Sequence, residues 1–155
     1  MITDATIAGR FNGKLGRQYA TLLIGGASEP LYLPARGRQP AMIRYTHDYS
    51  RSALHELAHW AIAGRRRLDL VDYGYWYIAS PRNAVAQAAF FHAELRVQAL
   101  ESVFCGICNL DFEVSADNIG TDSGDFAGRV ATLAGSWQRR GLEGRAARIA
   151  QMLAA

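Results

Sequence analysis

Apolar residues recur with helical spacing between residues 52 and 64, and this stretch has the clearest pattern in the chain. Positions three and four apart lie on one face of a helix, so the pattern predicts an amphipathic helix. We expect Ser50 or Ser52 to cap its start and Gly64 to end it. The apolar positions are Leu54, Leu57, Ala58, Ala61 and Ile62.

Four further helices are predicted from similar spacing and from helix-start signals. They cover about residues 3–12, 82–104, 125–139 and 143–153. Ser80 followed by Pro81 is typical of an N-cap and a first helical position, and it precedes the longest of the four.

Short runs of aliphatic and aromatic residues predict the strands. Residues 19–24 and 42–45 are expected to form strands, and residues 31–33 an edge strand because prolines flank them. The aromatic-rich run 68–78 and residues 112–114 are expected to be strands as well. Residues 117–124, rich in Asp, Asn and Gly, predict a loop. Short strands among longer helices indicate an α+β fold.

The composition is that of one globular domain. The chain has 155 residues, 50% of them apolar, so we expect a single domain over residues 1–155 with a packed core. The chain has no long uncharged apolar run of the kind that spans a membrane, and its N-terminus lacks the features of a signal peptide. Two cysteines do not make a disulfide framework. A cytoplasmic protein without membrane association is the simplest expectation.

The net charge of +3 comes almost entirely from arginine and decides little about partners. Arg65, Arg66 and Arg67 follow the predicted central helix. They are either a solvated helix end, where cations suit the helix dipole, or a docking patch for an acidic partner.

The candidate metal-binding and catalytic residues lie in the helix predicted up to Gly64, which contains the motif His-Glu-x-x-His. His55 and His59, four residues apart, lie on one helix face, so both imidazoles can reach one metal ion. Glu56 lies beside the open side of that ion and can act as a general base. The alternative is a buried amphipathic helix that carries two histidines by chance.

Two histidines hold a metal weakly, so a third ligand is needed. Glu94 is the best candidate because it lies on the next long helix, which can pack across the first. Glu101, two turns later on much the same face, is the alternative.

Two other pairs of residues have open interpretations. Asp69 and Asp72 can orient a metal-bound imidazole or bind an amine, but pairing with arginines at the surface is the default expectation. Cys105 and Cys108 form a C-x-x-C pair, but at the predicted end of a helix, where the dipole does not lower a thiol pKa. Buried apolar cysteines are therefore favoured over a redox or metal role.

Two reactions fit this ligand set. His-Glu-x-x-His with a distant Glu is the usual pattern of zinc metallopeptidases, in which Glu56 would activate a zinc-bound water. Two histidines and one carboxylate are also the facial triad of non-haem Fe(II) oxygenases. From the residues alone, zinc hydrolysis is favoured because the motif is commoner there.

Several segments resemble the elongation factor P hydroxylase family, in order and spacing, from about residue 20 to 120. His-Glu-x-x-His by itself is not specific, but its combination with Tyr-Leu-Pro-Ala and Gly-Tyr-Trp-Tyr is. The matching segments are Glu29-Pro30-Leu31-Tyr32-Leu33-Pro34-Ala35, residues 52–60 and 62–64, Leu70-Val71-Asp72-Tyr73-Gly74-Tyr75-Trp76-Tyr77, Gln98-Ala99-Leu100, Phe104-Cys105 and Asp117-Asn118.

The resemblance implies a zincin-like domain, with a small mixed sheet packed on the His-Glu-x-x-His helix and further helices. Its metal ligands fall on His55, His59 and Glu94, which would hold Fe(II) with molecular oxygen as co-substrate. The implied substrate is the beta-lysylated lysine of elongation factor P, a protein rather than a nucleic acid.

An amine-rich substrate favours carboxylates and aromatic faces, so Asp72, Tyr73 and Tyr75 are candidate substrate-binding residues. In such an enzyme Glu56 would move protons or orient bound water.

Overall fold

The computed structural model describes residues 1–75, 84–115 and 123–155, and this part of the chain contains six helices and a small sheet. Two short 3₁₀ turns, Arg67–Asp69 and Val71–Gly74, follow the third helix. The helices are α1 (Asp4–Gly13), α2 (Leu15–Gln18), α3 (Ser50–Ile62), α4 (Ala84–Ile107), α5 (Ser123–Arg140) and α6 (Gly144–Ala154).

Among the described residues the sheet has three strands, β1 (Thr21–Ala27), β2 (Leu31–Leu33) and β3 (Ala41–Thr46), in the order β1-β3-β2. β3 is central; β1 runs parallel to it and β2 antiparallel, so the sheet is mixed. Leu23 and Tyr32 are both in register with Ile43, and all three side chains are buried on the face that meets the helices. β2 lies at an edge, as its flanking prolines predict.

Helix α3 lies in the middle of the domain, in contact with α1, β3, α4 and α6. Its inner face is apolar because Leu54, Leu57 and Ala58 recur at helical spacing, and all three are fully buried. Trp60 anchors it, packing edge-on against Phe11 of α1 with ring centroids 5.3 Å apart. A second apolar cluster joins α4 to α5. The fold is therefore a single α+β domain with the motif helix at its centre.

The five predicted helices are present, with ends that differ by a few residues. The strand predicted over residues 68–78 is wrong as far as residue 75, since 3₁₀ turns occupy this segment and Asp72 and Tyr73 have left-handed backbone angles, φ 50° and 60°. The rest of that run and Ser80-Pro81 lie outside the described residues, as does most of the loop predicted at 117–124.

Residues 112–114 are not a strand either. The backbone groups of the neighbouring Ser115 bond to the side chain of Gln98 in place of a second strand.

The predicted N-cap of α3 is wrong. Tyr49 is the N-cap, and its side chain makes no capping hydrogen bond. The Ser50 hydroxyl donates to the carbonyl of Ile2, and the Ser52 hydroxyl accepts from Thr46. These bonds tie the start of α3 to the N-terminal segment and to β3. The helix ends at Ile62, before Gly64.

Within the described ranges, no helix has the length and apolar character needed to cross a membrane.

Candidate metal centre

The side chains of His55, His59 and Glu94 converge where α3 packs against α4. The Nε2 atom of His55 lies 3.7 Å from Oε1 of Glu94, and Nε2 of His59 lies 3.7 Å from Oε2 of the same carboxylate. One potential ligand atom from each residue lies within 4.8 Å of the others. Helical spacing on α3 and the crossing of α4 thus bring these three predicted residues together.

The three side chains fit a metal ion. A separation of 3.7 Å is too long for hydrogen bonds, so the carboxylate is not simply bonded to the imidazoles. Ligands of one ion with bonds of about 2.0–2.2 Å lie roughly 3–3.5 Å apart, close to what is seen here. Two nitrogens and one carboxylate suit Zn²⁺ or Fe²⁺ and leave coordination positions open.

Glu101 contacts His55 on the other side of the ring. Its Oε1 lies 2.6 Å from Nδ1 of His55, and its Oε2 accepts from Arg51 at 3.1 Å. Burial lowers the pKa of His55, but the bond to Glu101 and the charges of Glu56, Glu94 and Glu101 outweigh it and raise the pKa to about 9. By contrast, burial and the nearby His55 lower the pKa of His59. Glu101 is thus placed to orient His55.

Glu56 is 9% exposed and lines the same cleft. Burial raises its pKa, His55 opposes the shift, and the acidic neighbours Glu94, Asp72 and Glu101 add to it, so that the pKa reaches about 7. A carboxyl group with a pKa near neutrality can both take up and release a proton.

The cleft has a volume of about 610 Å³ and opens between β2, the second 3₁₀ turn, α3 and α4. The candidate substrate-binding residues Asp72, Tyr73 and Tyr75 all line it. Asp72 Oδ1 accepts from the backbone amide of Tyr32 at 3.0 Å. Among the described residues, neither Asp72 nor Asp69 forms an ion pair with an arginine, so the expected surface pairing is not seen.

Tyr73 forms the wall beside the histidines. Its ring stacks on Tyr32 with centroids 4.2 Å apart and lies parallel to His59 at 5.9 Å. The side chain is buried, and within the described part of the chain its hydroxyl has no hydrogen-bond partner. A buried hydroxyl in a cleft is available to a ligand that enters it.

Sequence reasoning missed two residues near the metal centre, Gln98 and Arg51. Gln98 donates to Glu94 at 3.1 Å, and the spacing of four residues between them on one helix is the signal that could have found it. Arg51 could not be found this way because it reaches Glu101 only through the packing of α3 on α4.

The two remaining histidines, His47 and His92, are exposed, and neither lines the cleft. Both cysteines are buried free thiols.

Comparisons with known proteins identify the family of the chain. Residues 10–155 match the family model described as elongation factor P hydroxylase. The chain is 39% identical over 116 residues to the elongation factor P lysine hydroxylase of Haemophilus influenzae, a match that covers 74% of this chain. The matched region spans 65% of that relative's length. The chain therefore belongs to the elongation factor P hydroxylase family.

Proposed function

We propose that this protein is an iron-dependent hydroxylase that acts on the beta-lysylated lysine side chain of elongation factor P. The observation that carries the proposal is the convergence of His55, His59 and Glu94 beside an open cleft, in a chain of this family. These residues would hold Fe(II), and a ferrous ion with open positions supplies the means of activating molecular oxygen.

Glu56 is the proposed proton-transfer residue. It lies in the cleft directly after His55, and its pKa of about 7 allows both protonation states near neutral pH. We assign it the role of accepting or supplying a proton at the carboxylate, and of orienting water in the cleft.

Asp72, Tyr73 and Tyr75 are proposed to bind the substrate side chain. A beta-lysylated lysine carries ammonium groups, which a carboxylate and aromatic faces attract in a partly desolvated cleft. One oxygen of Asp72 already accepts from the Tyr32 amide, which fixes the orientation of the carboxylate. The buried Tyr73 hydroxyl offers a further polar contact.

The proposed partner is therefore a protein, modified elongation factor P, and no direct contact with nucleic acid or membrane is required. A cytoplasmic location suits this partner.

The test is metal analysis of protein purified without oxygen, followed by reconstitution and mass spectrometry of the beta-lysylated substrate. Stoichiometric iron and an oxygen-dependent gain of one oxygen atom are expected. Glu94→Ala should lose both metal and activity, whereas His92→Ala, which changes an exposed histidine on the same helix, should lose neither.

Two outcomes would contradict the proposal. Tightly bound zinc with no activity after replacement by iron would favour the alternative, a zinc-dependent metallopeptidase that uses Glu94 as its third ligand. Full metal content in Glu94→Ala combined with metal loss in Glu101→Ala would show that Glu101, and not Glu94, is the third ligand.

A further inference from the structure

Residues 111–115 follow α4 and contact side chains that surround the candidate metal centre. Phe112 and Val114 pack against the hydrophobic clusters. The backbone groups of Glu113 and Ser115 form hydrogen bonds with side chains of α3 and α4. The segment is thus seated by its apolar side chains and presents backbone donors and acceptors to the two helices.

One set of contacts joins this segment to Glu94 through Gln98. The Nε2 atom of Gln98 donates to Oε1 of Glu94 at 3.1 Å and to the carbonyl of Ser115 at 2.6 Å, while its Oε1 accepts from the Ser115 amide at 2.9 Å. Gln98 is 1% exposed, so solvent does not compete for these bonds. Since the Ser115 amide requires the carbonyl end of the side chain, the NH₂ group is directed at Glu94.

A second set of contacts joins the segment to His55. Glu101 bonds to Nδ1 of His55 at 2.6 Å and accepts from Nη2 of Arg51 at 3.1 Å. The same Nη2 donates to the carbonyl of Glu113 at 2.8 Å, and the guanidinium lies 5.4 Å from the ring centroid of Phe112. Arg51 therefore links Glu101 to the Glu113 carbonyl, on a segment that Phe112 holds against the apolar clusters.

We propose that residues 113–115 form an outer brace that positions two ligands of the metal centre, Glu94 through Gln98 and His55 through Glu101 and Arg51. The inference rests on the metal centre of the proposed function and not on the substrate. Gln98 and Glu101 are positioning residues, since they act through the ligands. Because both sets of contacts end on one short segment, weakening one loosens the other.

The experiment measures Co²⁺ binding to the full chain by competition with a chelator, with visible absorption as a report on ligand geometry. Gln98→Met and Glu101→Ala should each weaken Co²⁺ binding about 10–100-fold and alter the absorption bands. Glu101→Gln, which keeps an oxygen acceptor, should recover part of the loss. The double variant Gln98→Met/Glu101→Ala should lose less than the product of the two single losses, because either change already releases the shared brace.

The controls separate failure of the brace from failure of the metal centre. His92→Ala should bind Co²⁺ as the unaltered protein does. If His59→Ala also binds Co²⁺ normally, the metal centre itself is wrong. If His59→Ala abolishes binding while the Gln98 and Glu101 variants bind normally, or lose affinity in strictly independent steps, the brace alone is overturned. Arg51→Ala, at a side chain that is 39% exposed, tests the same contacts if a buried variant does not fold.

Discussion

The Nδ1 atom of His55 lies 2.6 Å from Oε1 of Glu101, a carboxylate on a residue that is 4% exposed. A bond of this kind holds a proton on Nδ1 and directs the other nitrogen, Nε2, towards Glu94. Among the described residues, the side chain of His59 has no comparable partner, and burial lowers its pKa. The two imidazoles of the motif therefore differ in protonation in the metal-free protein, with His55 charged and His59 neutral near pH 7.

This difference predicts how the stability of the metal-free protein depends on pH. The pKa of His55 is about 9 in the folded protein and 6.5 for the unperturbed side chain, so the native state binds this proton more tightly. Its stabilising contribution is complete below about pH 6.5 and is lost as the pH rises through about 9. Urea unfolding with a chelator present, from about pH 6 to pH 10, should show the free energy of unfolding decline over this range.

Glu101→Gln provides the comparison for that pH series. The neutral amide no longer favours a charged imidazole, so the decline above pH 6.5 should shrink. If Glu101→Gln and the unaltered protein lost stability equally over this range, the bond between Glu101 and His55 would not be the cause of the decline.

Arg67 supports the wall of the cleft, although it belongs to the arginine run considered as a docking patch. Its Nη1 donates to the carbonyl of Tyr73 at 2.9 Å, and its guanidinium lies 4.0 Å from the ring centroid of Tyr75. A hydrogen bond and a cation–π contact are together worth about 1–2 kcal/mol. We expect Arg67→Ala to raise KM for the proposed substrate, beta-lysylated elongation factor P, about tenfold with a smaller change in kcat. Steady-state kinetics can measure both.

Arg65 and Arg66 are exposed, so the docking hypothesis is tested on these two alone. Arg65→Ala/Arg66→Ala should raise KM at low salt and match the unaltered protein at high salt if they meet an acidic surface. A KM that is unchanged at low salt would identify them as a solvated helix end.

The cysteines are expected to be unreactive in the folded protein. Cys105 and Cys108 are buried free thiols, and burial raises the pKa of both, that of Cys105 to about 12. At pH 8 about one Cys105 thiol in ten thousand is then ionised, and the thiolate is the reactive form. A chromogenic disulfide reagent should react slowly with native protein and rapidly with both thiols in urea. Rapid reaction of either thiol in the native state would contradict this.

The elements that the sequence predicts well are those decided by a single local pattern. The apolar spacing of α3 is enough to define a buried helix face, and the prolines around β2 are enough to place it at an edge. The strand prediction failed at Val71–Gly74 because hydrogen bonds override the strand propensity of these residues. Arg67 donates to the Tyr73 carbonyl, and the Tyr32 amide donates to Asp72. Strand propensity is a property of single residues, so it contains no information about the hydrogen-bond partners that those residues find in the folded protein.

The same limit applies to the site. His55 and His59 follow from helical spacing alone, and Glu94 requires only that the next long helix pack across the first. The distinct position of Glu101, and the parts played by Gln98 and Arg51, depend on how α4 packs on α3 and where residues 113–115 return. Those contacts exist only in the folded chain, so no spacing rule contains them.

Arg145 is expected to stabilise the C-terminal end of the motif helix from a distant part of the chain. Its guanidinium donates to the carbonyls of Trp60, Ala61 and Ala63, and lies 5.1 Å from a ring centroid of Trp60. Terminal carbonyls of a helix have no partner within the helix, and a cation there also complements the dipole. Arg145→Ala should therefore lower the free energy of unfolding by about 2–3 kcal/mol.

Arg148→Ala is the matched control for this change. Arg148 also lies on α6 and is exposed, and among the described residues its one ring or polar contact is with Tyr19, 5.9 Å from the ring centroid. Its removal should therefore cost less than about 1 kcal/mol. Urea unfolding of both variants, with metal content measured alongside, separates the two effects. Because the carbonyls lie at the end of α3 that follows His59, Arg145→Ala should also weaken metal binding. Equal stability losses in the two variants would show that Arg145 does not cap the motif helix.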